Sequence, residues 1–368
     1  MVTPNQVSWG SYREYEGPFY RGSVSYTPPA NPTEDEKILA TVTAVEGGRF
    51  DAINGYDKCI ISAGIIQWCE LQYSVSEMLG AVAAKSPQAM QALKPALDAS
   101  SAEFKRNQRG RWRFFFKDAR GEVDRPQEQH QLFQLHCDGS QGTWDGESKA
   151  RGKLWAAAVS NVLAHPDAQK AQIAFTVPRL YGFSSAMARE MLWGASEPQH
   201  NDHWVGAVRT GFIAFAINNP SIASNMLKAA SAKTGALKWS PDWCIEVFRQ
   251  MTFGPDIAIY PRRYNGIRPC IEKFYGVDLP DFADDLKVWH AQHGIDTTLP
   301  TFTDVKEIQE ELIHQGYDIG PAGADGVYGG KTKSAVLTFQ GLHRLPATGL
   351  VDQATRKALV VEWQKRNP

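Results

Sequence analysis

The chain has 368 residues, room for two or three domains, and its 43% hydrophobic and 21% charged residues are ordinary for a soluble globular protein. Lys plus Arg (39) nearly balance Asp plus Glu (40) at a net charge of −1, which argues against nucleic-acid binding, where a basic excess is the rule. Five cysteines (Cys59, Cys69, Cys137, Cys244, Cys270) are scattered, odd in number and without a CxxC pair, so the expectation is buried reduced thiols and no zinc site.

Residues 1–32 are polar, aromatic and Pro-containing, and read as an irregular lead-in. This stretch has neither the basic start nor the apolar run of a signal peptide. No segment is apolar for long enough to span a bilayer. The expectation is synthesis in the cytoplasm without a signal peptide, and no membrane partner.

Thr33-Glu34-Asp35-Glu36 has the spacing of a capping box, with Thr33 at the N-cap and Glu36 at the third helical position. Ile38, Leu39, Val42 and Val45 form the apolar stripe of the helix that follows. Gly47-Gly48 stops it. Glu46 is then the last helical residue, on the face of Leu39 and Val42. From Arg49 to Trp68 the pattern is turn-rich and then β-like, with Asn54-Gly55 as a hairpin-turn dipeptide. Beyond Leu71 the chain reads as mostly helical, as in Ser76 to Leu97, Lys153 to Leu163 and Ser184 to Leu192. Arg111 to Phe116 mixes charge and aromatics, the pattern of a half-buried strand or helix. His200-Asn201-Asp202-His203 lacks a third ligand in a recognisable frame and reads as surface rather than metal site. No internal repeat stands out.

Residues 291–303 are polar with Gly and Pro, a linker. Three short apolar stripes follow: Val305, Ile308 and Leu312; Ala335, Val336 and Phe339; Thr355, Ala358 and Leu359. Asp325-Gly326 and Gly329 have the chemistry of tight turns. Asp352, three residues before Thr355, can cap the third helix. With Gly316-Tyr317, Asp325-Gly326-Val327-Tyr328-Gly329, Gln340 and Leu345-Pro346-Ala347-Thr348-Gly349, these residues resemble the three-helix peptidoglycan-binding domain found beside many wall hydrolases. The resemblance covers residues 304 to 363 and implies binding of wall glycan or stem peptide.

The segment Glu46 to Trp68 resembles the active-site strip of the lysozyme superfamily, in which a catalytic Glu ends a helix and a small β region supplies polar partners. In phage-type lysozymes an Asp and then a hydroxyl residue follow that Glu. The resemblance assigns these roles to Asp57 and Ser62. Gly64 and Gln67 are similar to the Gly and Gln of lytic transglycosylases, and with Asn54 and Tyr56 make the substrate-binding candidates. Asp51 and Glu70 compete with Asp57 for the second carboxylate. Glycoside cleavage needs one acid to protonate the departing oxygen and a second group to activate water or stabilise the cation. A Glu at a helix C-terminus on an apolar face suits the first role. The resemblance to either relative does not extend into residues 72 to 290.

The fold expected is mainly α (α+β): a lysozyme-like catalytic domain over residues 33–290 with a small β element, and a three-helix bundle over 304–368. The activity expected is that of an endolysin-like muramidase cutting between N-acetylmuramic acid and N-acetylglucosamine, bacteriolytic, monomeric and without cofactor. It would reach the wall by holin-type release or by injection. A lytic transglycosylase, a chitosanase-like glycosidase and a non-catalytic wall-binding or tail protein are the alternatives.

Overall fold

The computed structural model describes all residues except 13–14, 47, 56–58, 119–120, 125–145, 195–201, 218–219, 235–237, 254–258, 293–301, 303, 327, 350, 352 and 368. In chain order it contains β1 (Ser8–Tyr12), β2 (Tyr15–Tyr20), α1 (Glu34–Glu46), β3 (Ile53–Asn54), β4 (Ser62–Ala63) and β5 (Trp68–Cys69). Helices α2 (Ser74–Lys85), α3 (Pro87–Met90) and α4 (Lys94–Ala99) precede β6 (Glu103–Arg106), β7 (Trp112–Asp118) and β8 (Gly121–Val123). The rest is helical: α5 (Gly146–Ala164), α6 (Pro166–Leu180), α7 (Ala186–Trp193), α8 (Asp202–Ala216), α9 (Pro220–Thr234), α10 (Pro241–Gln250), α11 (Ile259–Tyr275), α12 (Ala283–Gln292), α13 (Val305–His314), α14 (Gly330–Leu342) and α15 (Gln353–Arg366). The protein is mainly helical with small sheets. Among the described residues no helix is long and apolar enough to cross a membrane.

The chain divides into two compact units, each assembled from separated stretches. One comprises Met1–Ser23, Asp51–Ala168 and Thr297–Pro368; the other comprises Val24–Phe50 and Gln169–Asp296.

In the first unit β1 to β5 form an antiparallel sheet in sequential order. Residues 1–32 are thus not an irregular lead-in throughout: β1 and β2 pair as a hairpin, and β2 carries β3 on its other edge. The hairpin escaped notice because Gly10, Gly17 and Pro18 interrupt its alternation. Asn54-Gly55 is not a two-residue turn either. Asn54 sits in β3, opposite Phe19 on one side and Ser62 on the other, so its backbone is extended. The β4–β5 hairpin brings Cys59 and Cys69 to a Cα separation of 5.1 Å, and they form a disulfide. The expectation of reduced thiols fails there; Cys244 and Cys270 are free, and Cys137 lies outside the described residues.

A second, three-stranded sheet, β6-β7-β8, packs on α2. Arg111 to Phe116, left between strand and helix by its sequence, belongs to it. Gly80 of α2 permits the approach: a Cβ there would lie 2.2 Å from the Trp112 ring. Phe114 meets Trp155 of α5 edge-on at 5.5 Å, and the Trp155 indole donates to Ser100 Oγ at 2.9 Å. The helical run expected from Ser76 to Leu97 is broken by Pro87 and Pro95, each of which starts a new turn rather than continuing one.

In the second unit α1 is the central element, packed against α8 and α11. Its apolar stripe is buried, with Ile38, Leu39 and Val42 at most 1% exposed. The capping box forms as its spacing predicts: Thr33 N–H donates to Glu36 Oε2 at 2.8 Å, and Glu36 N–H returns to Thr33 Oγ1 at 3.4 Å. Two tyrosines of the same unit hold the first turn. Tyr181 donates to Asp35 at 2.5 Å and Tyr275 to Glu34 at 2.9 Å.

The C-terminal bundle closes α13, α14 and α15 around Ile308, Leu312, Val336, Phe339 and Leu359. Phe302, assigned to the linker by its polar neighbours, is 2% exposed and belongs to this core. Gln309 of α13 donates to Asp325 and Thr332 and accepts from Gly326 N–H. Gln340 of α14 repeats the arrangement with Thr348, Thr355 and Gly349 N–H. Gly326 and Gly349 both adopt positive φ, and each lies six positions before its threonine. The module therefore contains a short internal repeat, obscured in sequence by the unequal loops between each Gln and its Gly. Gly329, expected in a positive-φ turn, is instead the extended N-cap of α14. Asp352, expected to cap α15, lies outside the described residues.

Candidate functional site

Glu46 ends α1, as its sequence predicts. Gly48 N–H bonds back to Thr43 O at 2.7 Å, the six-to-one bond that closes a helix C-terminus. The Glu46 side chain is 15% exposed, so it is partly accessible. Its counter-charge is Arg263 of α11, 8% exposed, whose two terminal nitrogens both donate to Glu46 Oε1, one at 2.9 Å. Burial pushes the Arg263 guanidinium down from its ordinary value, and the Glu46 carboxylate opposes that shift. Sequence reasoning missed Arg263. Nothing in Tyr260-Pro261-Arg262-Arg263-Tyr264 singles it out, and only the fold brings it to Glu46.

The small sheet gathers Asn54, Ser62, Gly64 and Gln67, all in the other unit. Asn54 and Ser62 are cross-strand neighbours. Gly64 N–H donates to Ala52 O, and Gln67 donates from its backbone and from Nε2 to Gly64 O, at 3.0 and 3.1 Å. Gln67 adopts a φ of 56°, a conformation that costs a non-glycine residue energy and that recurs at functional positions. Ser62 is only 3% exposed. Tyr56 and Asp57 lie outside the described residues.

The other two carboxylates of this segment are fully buried. Asp51 accepts from Ser23 N–H and Ser23 Oγ at 2.8 to 3.0 Å. Glu70 accepts from Ser76 N–H at 2.8 Å and from Ser76 Oγ at 2.5 Å. Burial pushes Glu70 up to about 7, with the Ser76 hydrogen bonds and Arg113 pulling the other way. Each is held by a serine of its own unit, the arrangement of a structural carboxylate. Among the described residues no group of three His, Cys, Asp or Glu could hold a metal ion. His203 is engaged with Tyr275 O at 2.9 Å, and His200 and Asn201 lie outside the described residues.

The C-terminal bundle carries a groove of about 790 Å³ between the loop after α13 and the face of α14. Tyr317, Ser334 and Thr338 line it, with Asp318 and Lys331 paired at 3.2 Å on its rim. Tyr317 rests edge-on against Phe339 at 6.0 Å, which fixes its ring in the groove wall. The Gly320 N–H and Lys331 hold the Asp318 carboxyl below its ordinary value, so the rim pair stays charged at neutral pH. An aromatic face, hydroxyls and an ion pair within one groove can contact sugar rings, amides and peptide carboxylates.

The type VI secretion system spike protein VgrG3 of Vibrio cholerae serotype O1 is 57% identical over 37 residues, which is 10% of this chain and 4% of that protein. No solved structure matches the chain. Residues 303–359 match the family described as "Putative peptidoglycan binding domain", so the C-terminal module is a peptidoglycan-binding domain and peptidoglycan is the partner it supports.

Proposed function

We propose that the protein is a peptidoglycan hydrolase, an N-acetylmuramidase of lysozyme type whose catalytic acid is Glu46 and whose C-terminal module holds it on the wall. The peptidoglycan-binding match over residues 303–359 carries this reading, because it names the polymer on which an acid at a helix end would act. Glu46 supports it by position: it ends a helix and is partly accessible. In this reading Glu46, in its protonated form, gives its proton to the glycosidic oxygen as the C–O bond breaks. Water adds to the anomeric carbon and gives up a proton to a second carboxylate, the role that the sequence resemblance gives to Asp57. Arg263 holds the carboxyl in place before substrate arrives. The 37-residue similarity to a secretion spike protein supports injection over holin-type release as the delivery route.

One observation favours a second reading, a non-catalytic wall-binding protein: Glu46 is already engaged by Arg263. Purified sacculi separate the two. Wild type should release muropeptides with reducing muramic acid ends, and Glu46→Gln should lose about 10²–10⁴-fold of that activity while still sedimenting with sacculi. Mass spectrometry that finds 1,6-anhydro ends would make the protein a transglycosylase. No release by wild type would leave the binding reading alone.

A further inference from the structure

The β6–β7 hairpin of the first unit carries a second polar cavity, of about 770 Å³, in which five cations face two carboxylates on a chain whose net charge is −1. Its floor is Arg113, 6% exposed, held by Glu77 Oε1 at 2.8 Å and lying over the Tyr73 ring at 3.8 Å. Lys105, on the wall, is bound to Glu103 and Glu122 at 2.8 and 2.7 Å. Arg106 donates to Gly110 O and lies over the Trp112 ring. These three cations are committed to the protein.

Arg109 and Arg111 are not. Both are exposed, and among the described residues neither side chain has a hydrogen-bond or ionic partner. Their backbones are nonetheless fixed: Asn107 Oδ1 accepts from both N–H groups at 3.0 Å, and Gly110 closes the loop at a φ of 72°. A loop fixed by its own backbone thus presents two guanidiniums, without partners among the described residues, at the mouth of a cavity, an arrangement suited to carboxylates or phosphates. The peptidoglycan-binding module on the same chain decides between them, because the charged groups of peptidoglycan are the carboxylates of its stem peptides. Within the cavity Lys105 already holds Glu122 and Arg113 lies over the Tyr73 ring, so the guanidiniums at the mouth supply the charged contacts for a ligand. The ligand that fits is a short acidic peptide.

We propose that this cavity is a second wall contact, taking the carboxylate-rich stem peptide of peptidoglycan with Arg109 and Arg111 on its carboxylates. The proposal rests on the wall-binding reading above and extends it to a site outside the C-terminal module. The test is titration of the full chain with a soluble stem tetrapeptide containing γ-glutamate and diaminopimelate. Arg109→Ala/Arg111→Ala should melt as wild type does, since only the backbones of these residues support the loop. It should bind the peptide at least roughly tenfold more weakly, the loss expected for one charge-assisted hydrogen bond. Amidating the peptide carboxylates should weaken wild-type binding to a similar degree. Unchanged affinity in the double variant, or no binding by wild type, overturns the proposal. So does stronger binding of a glycerol-phosphate oligomer through the same two arginines, which would make the site one for phosphate. Sedimentation of wild type with whole sacculi is scored separately: its failure would remove the wall-binding reading, whereas the hairpin is decided by the difference between wild type and the double variant, in both of which the C-terminal groove is intact.

Discussion

Arg263 donates from both of its terminal nitrogens to one oxygen, Oε1, of Glu46, joining residues 217 positions apart. Neither partner is well solvated, so removing one leaves the other charge with neither water nor counter-ion. Breaking a buried pair from one side costs about 3–5 kcal/mol at the fully buried limit. Denaturant unfolding should therefore show Arg263→Ala and Glu46→Gln each destabilising the protein, with the double variant losing less than the sum of the two. Strict additivity would mean that the pair does not couple.

Glu70 makes stability depend on pH. Its ordinary value is near 4.5, and burial raises it to about 7 in the folded protein. Between those values the folded state holds a proton that the unfolded state has released, so stability falls as pH rises through this window and levels off above it. Melting temperatures from pH 4.5 to 7.5 should follow that course. Glu70→Gln, which cannot ionise, should flatten the curve whatever its absolute stability.

The Cys59–Cys69 disulfide closes a short loop around β4 and the Gly64 to Gln67 turn. A cross-link over a loop of this size contributes about 2–3 kcal/mol, largely by restricting the unfolded chain. Reductant, or Cys59→Ser, should lower the denaturation midpoint accordingly. Peptide mapping under non-reducing conditions should recover residues 59 and 69 in one linked fragment.

In the C-terminal module Gln340 is fully buried, with Thr348 Oγ1 and Thr355 Oγ1 as acceptors and Gly349 N–H as donor. Gln340→Leu would leave the buried Gly349 N–H without its acceptor, at about 1–3 kcal/mol. The variant should lower the melting temperature of the fragment 302–368, whereas Lys331→Ala on the groove rim should leave its stability near wild type. Circular dichroism of the two fragments makes the comparison.

The sequence disclosed what depends on neighbours along the chain. Thr33 and Glu36 are three residues apart, so their capping box could be read directly, and the stripe Leu39-Val42-Glu46 placed Glu46 at the helix end. The apolar stripes of α13 to α15 were legible for the same reason. What could not be read depends on long-range closure. Arg263 reaches Glu46 only through the packing of α11 on α1. Cys59 finds Cys69 only because β4 and β5 pair, and Gly80 shows its purpose only once Trp112 lies over it. The β1–β2 hairpin was hidden by glycines and a proline, which weaken the alternation that announces a strand.

The paired glutamines of the C-terminal module bear on how this protein can change over time. Each is a fixed post: Gln309 holds Gly326 and Thr332, and Gln340 holds Gly349 and Thr355, whatever length of chain runs between the post and its glycine. The first of these spans is the longer, and it supplies Gly316, Tyr317 and Asp318 to the groove. Within that span Ile319 belongs to the core and Tyr317 leans on it, so folding constrains both, whereas the exposed Asp318 can change while the posts keep the helices in register. The rim of the groove is therefore where this module can vary at least cost to its fold.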